Sequence, residues 1–165
     1  MILVNKIAIF LHYYLQLIIR NSNIFVILLI FISLIGKFVL LLLYDIPQPP
    51  DARKYINIIE YYKNHTGIET DIELSISFIL AAPYMKIQPL ILYLFGSKFV
   101  TILQIIISSL GIYLLFNISK IITKNTGVAC LAAFLFCFNP FITYYSLLFQ
   151  YETLFIFFLL LSINC

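Results

Sequence analysis

The chain has 165 residues, is 63% hydrophobic and only 10% charged, and has a mean hydropathy of +1.06 with a net charge of +3. That balance belongs to the membrane class and argues against a soluble domain with a hydrated surface. Its ten Lys and Arg residues are dispersed and form no basic run, which argues against nucleic-acid binding.

Residues 1–20 are largely apolar, with Lys6, His12 and Arg20 as charged or titratable interruptions. They lack the small-residue cleavage site of a signal peptide, so they read as an interfacial helix on the cytoplasmic side of a membrane. His12 stands beside Tyr13 and Tyr14, where an interfacial contact explains it better than ligand binding does. Residues 24–44 supply the roughly 20 apolar positions that a bilayer span needs, interrupted by Ser33, Gly36 and Lys37 and closed by Tyr44. Lys37 lies roughly 10 Å inside the Tyr44 end by helix rise. Snorkelling to the headgroups is the plain expectation for it, and a buried partner is the alternative.

Residues 45–98 form a mixed segment that holds six of the seven acidic residues, between Asp45 and Glu73, and is read as an extracytoplasmic loop. Pro50 and Asp51 look like a helix start, and Tyr55, Ile58, Ile59 and Tyr62 recur at helical spacing opposite Arg53, Asn57, Glu60 and Asn64. The pattern predicts an amphipathic helix ended by Gly67 and lying on the membrane with its aromatics down. The shorter apolar runs 74–82 and 89–95 could make one broken span or two surface helices. The surface option keeps Lys6, Arg20, Lys120 and Lys124 on one side, as the positive-inside rule prefers.

Residues 99–119 are the second predicted span, with Thr101, Gln104, Ser108 and Gly111 along one face that should pack on another helix. Residues 120–125 read as a tight cytoplasmic loop. Residues 127–149 are the third span, with Cys130, Ala133 and Cys137 on one side and a kink at Pro140. Cys130 and Cys137 are seven positions apart, about 10 Å along a helix, too far for a disulfide; with no CxxC pattern, the three cysteines read as small apolar packing. Tyr144, Tyr145 and Tyr151 suit an aromatic belt on the same side as Tyr44. Residues 152–165 begin a fourth apolar run that is short for a span, so the sequence reads as a truncated or split protein. The fold expected is therefore all-α, a polytopic transmembrane protein with amphipathic juxtamembrane helices in its first outer loop.

No HExxH, GxSxG, GxxxxGK[ST] or GxGxxG pattern is present. What remains is an order of motifs. Pro50-Asp51-Ala52 with Tyr55 follows the first span, then come Ala82-Pro83-Tyr84, Gln88-Pro89-Leu90 and Leu94-Phe95-Gly96, two hydrophobic segments, Tyr144-Tyr145-Ser146 and Glu152-Thr153-Leu154. From about residue 23 onward this order resembles the N-terminal portion of GT-C-type integral membrane glycosyltransferases, the group related to protein mannosyltransferases and aminoarabinose transferases. Two departures are plain: Ala52 stands where the family often has a second acid, and a full enzyme of that kind continues through many more helices.

The resemblance implies transfer of a sugar from a polyprenyl-phosphate donor at the outer face of the membrane; the expected location is the cell (inner) membrane, with the N-terminus cytoplasmic as the positive-inside rule prefers. It implies that Asp51 and Glu152 are the catalytic acids, one carboxylate deprotonating the acceptor. Arg53, Lys54, Tyr55 and Lys86 are the nearby candidates for substrate and phosphate binding. Whether the acidic site holds a divalent metal is left open. The partners expected are the bilayer, the lipid-linked sugar and a complementary membrane chain, and the chain alone is expected to be inactive. The plainer readings are that Asp51 caps a helix, that Arg53, Lys54 and Glu60 are its solvated face, and that Glu152 rests at an interface. A small non-catalytic membrane subunit, or a decayed remnant acting through protein contacts, is the competing function.

Overall fold

The computed structural model describes residues 12–44, 47, 96–148 and 152–164. Among these residues the structure is all-helical, with no strand. After helical residues 12–20 come α1 (Ser22–Leu43), α2 (Ser97–Thr123), α3 (Thr126–Cys137), α4 (Pro140–Leu147) and α5 (Glu152–Asn164). The segment expected to form the outer loop lies almost wholly outside the described residues.

Two helices, α1 and α2, are long and apolar enough to cross a membrane. At about 1.5 Å per residue they measure roughly 33 and 40 Å, against the roughly 30 Å of a hydrocarbon core. Helices α3 and α4 meet at a bend of 48° and make a third span if taken as one broken helix. The bend sits where the sequence places Pro140. Asn139 ends the first piece in an extended conformation, and its side chain accepts hydrogen bonds from the Phe141 and Ile142 amides at 2.9 and 3.2 Å, starting α4 with Pro140 in its first turn. Asn125 does the same for α3, accepting from Gly127 and Val128. Helix α5 is apolar but has only 13 residues.

Helix α2 is the hub of the bundle, packing on α1, α3, α4 and α5. Its best apolar stretch is 56% buried, against 22% for α1, which flanks the bundle. The core joins Val26 and Leu29 of α1, Ile112 and Phe116 of α2, and Ala129, Cys130, Ala133 and Cys137 of α3. The small residues of α3 permit close approach, and the Cys137 thiol donates to the Leu29 carbonyl at 3.5 Å. At Gly111 a Cβ would lie 3.4 Å from Phe136 and 3.7 Å from Leu160, so α3 and α5 both close on that point of α2.

One boundary differs from that expected. Helix α2 continues through Ser119 and Lys120 to Thr123, leaving only Lys124 and Asn125 as the connection. The extra turn is held by Thr123 Oγ1 bonding to the Ser119 carbonyl at 2.7 Å, and Lys120 lies 5.7 Å over the Phe116 ring. Lys124 then stops the helix in the left-handed conformation, with φ of 52°. At the N-terminal end, Ile18 packs against the core and Ile19 lies against Gly127, so residues 12–20 are tied to the bundle.

Around α1 the polarity runs opposite to that of a soluble helix. Its buried stripe is Ser22, Val26, Leu29, Ser33 and Lys37, while Ile24, Ile27, Leu28, Phe31, Ile32, Ile35 and Val39 face outward. A helix that is polar inward and apolar outward suits lipid tails as its surroundings.

Candidate functional site

The polar residues of the bundle gather on the α1–α2 seam. Ser33, Lys37, Ser108 and Ser109 are all buried there. On α1, Ser33 and Lys37 are four apart and share a face; on α2, Ser108 and Ser109 meet them. Lys37 Nζ donates to Ser108 Oγ at 2.6 Å, Ser108 in turn donates to the Ile105 carbonyl at 3.0 Å, and the Ser33 and Ser109 hydroxyls bond at 3.1 Å. Lys37 is 3% exposed, so it does not snorkel. Side chains of a helix lean toward its N-terminus, and that lean carries the Lys37 stem away from the Tyr44 end and onto the Ser108 hydroxyl.

Beside Lys37 lies a cavity of about 220 Å³ lined by Ile32, Ser33, Gly36, Leu40, Cys137, Phe138 and Thr143 as well as by Lys37 itself. Leu40 and Thr143 also line a second, open groove of about 530 Å³, whose other walls are Tyr44, Pro47, Pro140, Tyr144 and Leu147. A volume of that size falls in the range of small-molecule sites, about 300–1,000 Å³. Tyr44 and Tyr144, the aromatics expected at one membrane face, thus flank the same groove.

Glu152 is the first residue of α5 and the one acidic side chain among the described residues. It is half-buried, and its Oε2 is buried with no hydrogen-bond partner among the described residues. Next to it, Thr153 Oγ1 is also buried and unpartnered. A carboxylate in a first helical turn is favoured by the helix dipole, by about 0.3–1 kcal/mol, yet a buried oxygen without a donor costs more than that, about 1–3 kcal/mol. Among the described residues the two oxygens mark a polar spot at the start of α5. Thr153 and Ser108 both line a narrow cleft with Tyr145, Gly111 and Phe136.

Of the candidate catalytic and substrate-binding residues, only Glu152 is placed; Asp51, Arg53, Lys54, Tyr55 and Lys86 lie outside the described residues. No group of three or more metal-binding side chains occurs among the described residues. The roles of Ser33 and Thr143 were missed. The four-residue spacing of Ser33 and Lys37 was a usable signal for Ser33, whereas Thr143 reaches the cavity only because of the bend at Asn139. Compared with protein-family models, with curated proteins and with solved structures, the chain finds no match.

Proposed function

We propose that the chain is an integral membrane protein of glycosyltransferase-like character, acting at the outer face of the cell (inner) membrane with its N-terminus cytoplasmic. The observation that carries this reading is the Glu152 carboxylate, at the head of an apolar helix with one buried oxygen lacking a donor among the described residues. The order of motifs from Asp51 to Glu152 supports it, as does a groove of about 530 Å³ flanked by Tyr44 and Tyr144, large enough for a sugar unit.

In the reaction envisaged, a carboxylate takes the proton of the acceptor hydroxyl, and the acceptor oxygen bonds to the anomeric carbon of the sugar. The bond from that carbon to the phosphate oxygen breaks, and the polyprenyl phosphate leaves with the electron pair, its charge met by Arg53, Lys54 or Lys86. Tyr55 would line the same site. In this reading a further membrane chain helps to exclude water from the site, and the protein turns over only in its company.

The second reading is a non-catalytic membrane subunit. It is favoured by the outward apolar face of the short helix α5, where Phe155, Phe158, Leu159 and Ile163 are exposed. Replacing Asp51 by Asn and Glu152 by Gln in intact cells separates the two. Loss of a glycan modification at normal membrane abundance supports the transferase, and loss of complex assembly with glycans unchanged supports the subunit.

A further inference from the structure

We propose that the cavity beside Lys37 is a binding site for a compact oxyanion, a phosphate or carboxylate group that reaches it through the groove between Tyr44 and Tyr144. Lys37 is 3% exposed, and its ammonium carries three donors, of which Ser108 accepts one. Ser108 is a neutral hydroxyl whose own proton is committed to Ile105, so it solvates the ammonium without neutralising it. Among the described residues Lys37 has no other hydrogen-bond partner, and the neighbouring Cys137 thiol donates to the Leu29 carbonyl instead. A charge held in a low-dielectric bundle costs several kcal/mol unless it is paired, and an anion in the adjoining cavity supplies the missing charge.

The cavity has the size and lining for it. Its volume of about 220 Å³ is several times the roughly 30 Å³ that a water occupies in the liquid. Ser33 and Thr143 add hydroxyls to the lysine, and the remaining walls are apolar side chains and Cys137. Leu40 and Thr143 line both this cavity and the groove of about 530 Å³, so the two adjoin, and the proposed route to Lys37 from the Tyr44 end crosses that shared wall. A free phosphate and the phosphate of a lipid headgroup share this chemistry. The site rests on the geometry of α1 to α4 and holds whether or not the chain transfers a sugar.

The test uses the full chain in nanodiscs and reads its thermal unfolding midpoint, which a ligand of the folded state raises. One arm titrates inorganic phosphate into phosphatidylcholine discs; the other compares phosphatidylcholine discs with discs containing phosphatidic acid. The wild type shows a saturable rise in at least one arm. A response to free phosphate assigns a soluble oxyanion, and a response to phosphatidic acid alone assigns a headgroup. Lys37→Met weakens the binding about 30-fold or more, the effect of removing one partner of a buried charge pair. Thr143→Leu, which narrows the shared wall and leaves Lys37 and Ser108 in place, weakens it too and serves if Lys37→Met does not fold. No saturable rise in either arm, or binding that survives both substitutions unchanged, overturns the proposal.

Discussion

The Lys37 ammonium donates a 2.6 Å hydrogen bond to Ser108 across the α1–α2 interface, and both residues are buried. This contact, with the Ser33–Ser109 pair one turn away, fixes how the flanking helix sits on the hub. The energetics of such bonds inside membranes are modest, so their value lies in register as much as in strength.

A double-mutant cycle measures the coupling. Ser108→Ala strips the buried ammonium of its one described acceptor and should destabilise the protein by about 1–2 kcal/mol. In a Lys37→Met background the same change should cost little. Reversible unfolding in mixed micelles gives the four values, and a coupling indistinguishable from zero would contradict a structural Lys37–Ser108 bond.

Gly111 separates two outcomes by size alone. Its built Cβ would touch Phe136 at 3.4 Å, an ordinary contact, so Gly111→Ala should be neutral or gain up to about 1 kcal/mol of helix propensity. Gly111→Leu must displace Phe136 and Leu160 and should cost about 1–3 kcal/mol. Thermal unfolding of the two variants side by side checks the close approach of α3 and α5 to α2.

The caps of the broken helix are separable as well. Asn139→Ala removes the side chain that receives the Phe141 and Ile142 amides and should cost about 1 kcal/mol. Asn125→Ala should cost a similar amount at the start of α3. Only the Asn139 change should alter the α3–α4 angle of 48°, which a pair of spin labels on the two helices would detect.

How much of this was legible depended on the range of the interaction. The cores of α1 and α2 were plain from run length, because a bilayer sets that length directly. Pro140 announced the bend, since proline removes a backbone donor wherever it falls. The end of α2 was not legible: Ser119, Lys120 and Thr123 look like loop residues until the Thr123 back-bond and the Phe116 contact are seen. Lys37 was ambiguous for the same reason. Its depth could be counted, but its partner lies 71 residues away in the chain. Thr101, Gln104 and Ser108 were recognisable as a packing face from spacing, and the structure buries all three. Of the candidate acids, Glu152 stood out as a charge heading an apolar run, and the structure adds a buried oxygen with no partner among the described residues.

The most direct measurement is sugar transfer from a polyprenyl-phosphate donor in native membranes holding either the wild-type chain or Glu152→Gln at equal abundance. Loss of a positioned acid–base group should slow transfer by about 100-fold or more, with the protein still folded and inserted. Equal transfer by the two membranes would contradict a catalytic role for Glu152.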